Sequence, residues 1–349
     1  MKQRARILLL TPQLGGGGAQ HVMALVARGM SREKFEVHVG LVRARDAGTG
    51  AVAPWVKVHA LGAGRARAAS LPLLLLVWRL RPDVILSGAA EISFLALLLR
   101  PFFPPGTRVL VRQNGTVSAA LSHGGVPRYT RLLYQLLYRR ADRVICQSRA
   151  MAKDLARETG VRKEQIVVLP NPVDLEGILA ARNAPSAWNG PGPHLLAVGR
   201  LSWEKGFDLL IEALAALRNR FPDADLTLVG SGREELALKG LCRSLQMETA
   251  VRFAERVDTP YAFLQGATLF VLPSRYEGMP NALLEAAAAG LPLVSTPASG
   301  GVVDLLKGRP GAWLATEVSA SALTQALEKA LESLQPGDRF RHGFFPSTA

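Results

Sequence analysis

Cysteine is nearly absent: Cys146 and Cys242 are the whole complement of 349 residues. Two thiols in different halves of the chain exclude a disulfide-stapled scaffold and fit a reducing cytoplasm, with both thiols buried. Long hydrophobic runs are missing too. The longest, 71–77, is far too short to span hydrocarbon, and 94–103 is interrupted by Arg100, so no transmembrane helix is expected. The basic start of Met1–Leu10 mimics a signal peptide, yet only four apolar residues precede Thr11-Pro12, and a first strand is the better reading. The six histidines, at 21, 38, 59, 123, 194 and 342, show no paired ligand spacing. Asp223-Ala-Asp225 has an acid-x-acid metal spacing but leads directly into an apolar strand and reads as a turn. The expectation is therefore no metal and no cofactor. Aromatic residues make up only 6% of the chain, and no nucleic-acid motif accompanies its excess of base, so nucleic acid is not an expected partner.

Acid is scarce in one half only. Residues 1–170 carry 26 Lys plus Arg against 9 Asp plus Glu, net +17; residues 171–349 carry 16 against 19, net −3; together these give +14. A basic first half implies an anionic partner there, either a membrane surface or a phosphorylated acceptor, while an arginine-rich genome is the plain alternative. Within that half, 128–140 places Tyr129, Leu132, Leu133, Leu136 and Leu137 at helical spacing among Arg128, Arg131, Arg139 and Arg140. Such a stripe packs against a core by default, and a membrane-lying face is the alternative.

With 48% hydrophobic residues the chain is long enough to bury two cores. Apolar strand signals at 6–10, 37–42, 83–86, 108–111 and 143–146, and again at 195–198, 226–229, 251–253 and 269–272, alternate with helical patterns. That alternation predicts α/β architecture built on parallel sheets. The stretch 183–193, rich in Pro, Gly, Ser and Asn, reads as a surface connection. The expected division is a first Rossmann-like domain over 1–172, a linker over 173–193, a second Rossmann-like domain over 194–335 and a tail over 336–349.

The most informative segment is Pro273-Ser-Arg-Tyr-Glu-Gly-Met-Pro-Asn-Ala-Leu-Leu-Glu285. It follows the strand 269–272 and opens a helix from about Asn281 to Ala289, with Pro280 suited to the first helical position; 291–296 resumes as a strand. Ligands in open α/β sheets bind at such carboxyl ends. Free N–H groups around Gly278 to Ala282 form a partial positive pole suited to a diphosphate, and Glu285, one turn in, can accept from sugar or ribose hydroxyls. Glu277 lies nearer the anion and is better aimed at neutral hydroxyls. The bland reading makes both glutamates solvated charges, Glu285 favouring its helix's N-terminal end. Arg200 and Lys205 follow the strand 195–199 and precede a helix at 207–217, placing two cations at another strand's carboxyl end. There they would stabilise negative charge growing on a departing phosphate oxygen, unless Lys205 merely pairs with Glu204 or Asp208. The first loop, Leu14-Gly-Gly-Gly-Gly-Ala-Gln20, lets backbone approach a ligand closely. Dinucleotide binding would want an acid at the end of the second strand; Glu36 begins that strand and Asp46 lies beyond it.

The two glutamates seven residues apart, the preceding Val198-Gly-Arg-Leu-Ser-Trp-Glu-Lys-Gly-Phe207, the glycines at 15–18, Ser148, Pro170-Asn-Pro-Val-Asp174 and Val229-Gly-Ser-Gly232 occur in the order found in glycosyltransferase family 4. The chain resembles that family over nearly its whole length. The resemblance implies a GT-B fold, two Rossmann-like, doubly wound parallel-sheet domains facing a central cleft, and a retaining transferase. Its substrates would be a nucleoside-diphosphate sugar, with a UDP-sugar favoured, and a glycan or lipid-linked acceptor in cell-envelope polysaccharide or glycolipid synthesis. Arg200, Lys205 and Glu277 become catalytic candidates. Gly16, Gly17, Gly278, Met279, Pro280, Asn281 and Glu285 become donor-binding ones. Many family members carry a histidine after the strand equivalent to 108–111; Arg112-Gln113-Asn114 stands there instead, so that contact passes to Asn114 or His123. GT-B chains commonly end in a helix returning to the first domain, whereas 335–349 is short and broken by Pro and Gly. That leaves the helix 320–334 to serve, with weakened closure or a truncated product as the consequences if it does not. A cytoplasmic protein, peripheral on the inner face of the membrane, is the expected location. The rivals are a non-catalytic sugar-nucleotide or polyanion-binding protein of the same fold, a two-carboxylate hydrolase and a nicotinamide-dependent oxidoreductase.

Overall fold

A computed structural model describes residues 4–15, 17–43, 52–123, 126–127, 129–183, 187–255 and 260–344. The chain divides into two compact units, Met1–Pro172 and Val173–Ala349. In unit 1 a seven-stranded sheet comprises β1 Ala5–Thr11, β2 Phe35–Leu41, β3 Lys57–Ala60, β4 Val84–Ser87, β5 Arg108–Arg112, β6 Arg143–Cys146 and β7 Ile166–Val168, in the order β3-β2-β1-β4-β5-β6-β7. In unit 2 a six-stranded sheet comprises β8 His194–Val198, β9 Asp225–Val229, β10 Val251–Ala254, β11 Leu269–Leu272, β12 Leu293–Ser295 and β13 Ala312–Leu314, in the order β10-β9-β8-β11-β12-β13. All pairings are parallel.

The central strands read as continuous apolar runs because helices cover both faces of each sheet. Along β1, Leu8 and Leu10 enter one core while Ile7 and Leu9 enter the other; along β8, Leu195 and Ala197 part from Leu196 in the same way. This period of two, repeated on both sides, is the doubly wound α/β arrangement. Cys146 and Cys242 are buried free thiols, one in each unit, and burial pushes the Cys146 thiol up to about 12. Neither is an active nucleophile.

Three strands are absent from the sequence expectation: β3, β7 and β13. All three close an edge of a sheet, and they are only three or four residues long. Short edge strands bury little: β3 shows almost no apolar run, and β7, although wholly apolar, leaves Val167 and Val168 exposed. Within 173–193, expected as a linker, Leu175–Ala180 is a helix whose Ile178 lies in the core of unit 2. The expected stripe at 128–140 is also turned relative to its default reading. A helix spans Tyr129–Leu137 and continues as a 3-10 turn, Tyr138–Arg140, but Tyr129, Leu132 and Leu136 point to solvent. Leu137 and Leu133 of the stripe do pack on the core, joined by Thr130 and Tyr134 from outside it, with Tyr134 and Tyr138 ringed against Phe94. Residues 335–344 of the tail lie on unit 2: the Phe340 amide donates to the Gly290 carbonyl at 2.8 Å, and His342 Nε2 meets the Leu291 carbonyl at 2.8 Å.

On β2 and β3, His38 Nδ1 lies 2.8 Å from His59 Nε2, with the rings stacked at 5.1 Å. Desolvation is the main reason that both imidazoles titrate below their ordinary value; Glu36, held by Arg6 and Lys57, opposes it only for His38. The unfolded chain takes up these protons near pH 6.5 and the folded chain resists them. The pair's stabilisation is therefore fully present above about pH 6.5 and is lost as pH falls below it. Calorimetric unfolding is expected to show a steeper drop in melting temperature on acidification for the wild type than for His59→Asn.

Candidate active site

The site is built where loops of unit 2 leave the carboxyl ends of β8, β9, β11 and β12. After β8 the chain turns through Gly199 and Arg200 into the 3-10 turn Trp203–Lys205, and Gly206, at φ 63°, starts the helix Phe207–Leu217. A side chain at Gly206 would strike the Pro273 carbonyl, so the close approach of these two loops requires glycine. The Leu201 amide donates to the Ser231 carbonyl at 3.0 Å, tying in the loop after β9. From the loop after β11, the Arg275 guanidinium grips Asp208 through two bonds of 2.8 and 2.6 Å and lies over the Trp203 ring at 4.8 Å. The Arg275 amide donates to Glu204, Thr296 Oγ1 donates to the Ser274 carbonyl at 2.5 Å, and the Glu277 amide donates to Ala298 at 3.1 Å. A rigid frame of backbone and bidentate contacts results.

Inside that frame Lys205 Nζ lies 2.6 Å from Glu277 Oε1, which also accepts from Ser274 Oγ at 2.7 Å. Both side chains are largely covered, Lys205 at 23% and Glu277 at 10% exposure. Two residues 72 positions apart thus form one partly buried ion pair. The bland pairing of Lys205 with Asp208 is not what forms, since Asp208 belongs to Arg275. Arg200 remains outward, its guanidinium 73% exposed and 3.6 Å from Glu204, whose carboxylate also accepts from Ser202 at 2.6 Å. Gly278 and Met279 are half-buried. Pro280 stands just before the helix Asn281–Ala288 at φ −75° and ψ 112°, one place earlier than the first helical position expected for it.

Glu285 is not the solvated helix charge of the bland reading. It is 8% exposed, and burial first, then the charge of Asp174, raises its carboxyl to about 7. Asp174 itself caps the helix Leu175–Ala180, accepting from the Gly177 amide at 3.1 Å. Carboxyl pKa values raised in this way concentrate at sites that do chemistry or bind ligands. A cavity of about 700 Å³ lies elsewhere in unit 2, lined by Arg182, Gly290 and tail residues from Arg339 to Phe344; Gly290 precedes β12, so the cavity is at the amino end of that strand.

In unit 1, Gly16 lies outside the described residues. Gly17 precedes the helix Gly18–Gly29 in extended backbone, and its carbonyl accepts from the His21 amide at 3.0 Å. Glu36 is at the start of β2 and committed to Arg6 and Lys57, while Asp46 lies outside the described residues. Asn114 follows β5; its amide nitrogen donates to the Gly88 carbonyl at 2.5 Å and its oxygen accepts from Arg112. Arg112 was not singled out by sequence reasoning. It is 6% exposed, donates to Asn171 Oδ1 at 2.6 Å, and burial lowers its guanidinium to about 10. The available signal was a charged residue closing an otherwise apolar strand. His123 ends the short helix Val117–His123, whose first amides, Val117 and Ser118, donate to Asp154 at 2.6 and 3.1 Å. Among the described residues no cluster of three or more His, Cys, Asp or Glu side chains is placed to hold a metal ion.

Two parallel, doubly wound units of this kind define the GT-B class. A family model for glycosyltransferase family 4 matches residues 16–176, and one for glycosyl transferases group 1 matches residues 180–342. The chain belongs to glycosyltransferase family 4. It is similar to a glycogen synthase of Mycobacterium tuberculosis, 32% identical over 235 residues, covering 66% of this chain and 56% of that one. It is also similar to the N-acetylgalactosamine-N,N'-diacetylbacillosaminyl-diphospho-undecaprenol 4-alpha-N-acetylgalactosaminyltransferase of Campylobacter jejuni, 26% identical over 331 residues, 91% of this chain and 88% of that one. The chain spans about half the length of the first curated relatives it matches. The solved structure of Anabaena HepE in complex with UDP and glucose shares the fold, with a TM-score of 0.76 at 20% identity over 95% of this chain and 90% of that one.

Proposed function

We propose that the protein is a retaining glycosyltransferase that moves a sugar from a nucleoside-diphosphate sugar, UDP-linked by preference, to a glycan or lipid-linked acceptor in cell-envelope polysaccharide or glycolipid synthesis. The observation that carries this reading is the Lys205–Glu277 pair, held beside the start of the helix Asn281–Ala288 at the carboxyl ends of β8 and β11. Support for the ligand classes comes from relatives: HepE was solved with UDP and glucose, and the Campylobacter enzyme is named for a diphospho-undecaprenol acceptor.

In the proposed reaction the bond from the sugar's anomeric carbon to the diphosphate oxygen breaks, and its electron pair goes to that oxygen. The acceptor hydroxyl attacks the same face of the sugar and gives its proton to the leaving diphosphate. Lys205 and Arg200, with the amides from Gly278 to Asn281, stabilise the growing negative charge without a metal or other cofactor. Glu277 orients Lys205 and receives sugar hydroxyls, while Met279 and Pro280 shape the approach. Glu285, kept in its protonated form by burial below about pH 7, can both donate to and accept from a ribose or sugar hydroxyl. From unit 1, Gly16 and Gly17 are the residues proposed for donor-phosphate and acceptor contacts, and Asn114 or His123 for the sugar or acceptor contact, with Arg112 orienting Asn114. No helix among the described residues is long and apolar enough to cross a membrane, and we place the enzyme at the cytoplasmic face.

A panel of UDP-, GDP- and ADP-linked sugars tests the proposal by thermal shift and by release of nucleoside diphosphate. UDP-linked donors are expected to raise the melting temperature and to be hydrolysed slowly without acceptor. Stabilisation without turnover, even with lipid-linked and glycan acceptors supplied, would leave a binding protein of the same fold. If every donor is inert in both assays, the reading is wrong.

A further inference from the structure

We infer that unit 1 docks on an anionic lipid surface through the outer faces of three neighbouring helices: Ser70–Leu80; Ala90–Leu99 with its 3-10 continuation Arg100–Phe102; and Tyr129–Leu137. The helices lie side by side. Trp78 Nε1 donates to the Phe102 carbonyl at 2.9 Å, joining the first to the end of the second, and Phe94 packs edge-to-face on Tyr134 at 4.9 Å, joining the second to the third. Each nevertheless presents large apolar side chains to water at helical spacing: Leu75 and Trp78, Leu98 and Phe102, Leu132 and Leu136, with Leu75, Phe102 and Leu132 all more than half exposed. Apolar side chains scattered singly over a surface need no explanation, but three adjoining helix faces marked in this way do.

Charge selects the occupant. Across 65–81, 90–103 and 129–140 the sole acid is Glu91, whereas Arg79, Arg81, Arg139 and Arg140 stand exposed at the helix ends and flanks; Arg131, also exposed, pairs with Glu158 of the neighbouring helix at 3.1 Å. A second copy meeting this face by twofold symmetry would set arginine against arginine with almost no acid to compensate. A bilayer carrying anionic headgroups matches both features. Leucine and phenylalanine enter the acyl boundary, Trp78 sits at the interface, and long arginine side chains reach phosphate while their stems stay in apolar surroundings. No spanning segment is required, and the surface involves none of the residues proposed for transfer, so its test is independent of donor turnover.

The experiment is co-sedimentation of the full chain with phosphatidylcholine vesicles, with and without phosphatidylglycerol. Binding is expected with the anionic vesicles only, weakened on the order of tenfold or more by Leu132→Glu with Leu136→Glu, and similarly by Arg139→Gln with Arg140→Gln. Those positions are exposed, and an unchanged melting temperature confirms that the variants fold. As a second readout on the native sequence, vesicles with brominated acyl chains are expected to quench tryptophan emission, and Trp78→Phe to abolish most of that quenching. Absence of anionic-vesicle binding, or binding that the Leu132/Leu136 change leaves intact, would overturn the inference. So would a concentration-dependent dimer, seen by light scattering, that this change dissolves while vesicles have no effect.

Discussion

Replacing Lys205 by alanine is expected to lower turnover of the sugar donor by about a hundredfold or more, the scale on which removal of a single charge-stabilising donor slows reactions that develop an oxyanion. Donor affinity should change far less, because the leaving oxygen gains most of its charge after binding. The rival explanation is architectural: Lys205 and Glu277 tie two loops together, and any variant that unties them loses activity through disorder. A double-mutant cycle separates the two. Lys205→Ala strands a largely covered Glu277 carboxylate, costing on the order of 1–3 kcal/mol of stability. Adding Glu277→Gln removes the stranded charge and should restore much of that stability while leaving turnover low. Calorimetry and product release on the same preparations decide it. Turnover that recovers together with stability in the double variant would reduce the pair to a strut.

Glu285→Gln is expected to make the protein more stable and a poorer binder of its donor. The carboxyl of Glu285 is raised from 4.5 to about 7 in the folded chain, mainly by burial. Its stabilising, proton-bound form is thus fully present below about pH 4.5 and lost as pH rises through about 7. A shift of this size corresponds to roughly 3 kcal/mol, lost from the wild type at alkaline pH. Glutamine cannot ionise, so its melting temperature should stay nearly flat over that window and exceed the wild type's above it. If Glu285 grips sugar or ribose hydroxyls, donor affinity should fall by about tenfold or more in the same variant, since a charged or readily shared acceptor is replaced by a weaker one. A stabilised variant with undiminished donor affinity would make Glu285 a structural residue tolerated at a cost. Gain in stability coupled to loss of binding is the expected mark of a site held under strain for function.

Much of this was legible before any coordinates. The central strands read directly from their apolar runs, Arg143–Cys146 (apolar after its exposed first residue) and the wholly buried Leu269–Leu272 to the residue, because a strand covered on both faces is apolar where it is buried. The turn chemistry of 273–281 located the helix start, with Pro280 displaced by a single position. The stripe at 128–140 shows the limit. Periodicity identified the helix and its apolar residues, yet periodicity has no origin: it cannot say which side of a helix faces the core when tyrosines on the other side pack better.

Local preference is written residue by residue, so the amino-acid order alone established the two α/β units' central elements, the loop at 273–281, the absence of membrane-spanning helices among the described residues and the lopsided charge. It also carried the family resemblance. The rest depends on distance and dielectric, which exist only once remote segments have packed. Lys205 chose Glu277 over Asp208 because Arg275 had already taken the latter, Glu285 acquired its raised pKa from the interior around it and from Asp174, and Arg112 became a buried cation among amides. Coulomb and desolvation energies change severalfold with a few ångströms and with water's exclusion, and neither quantity can be read along a chain.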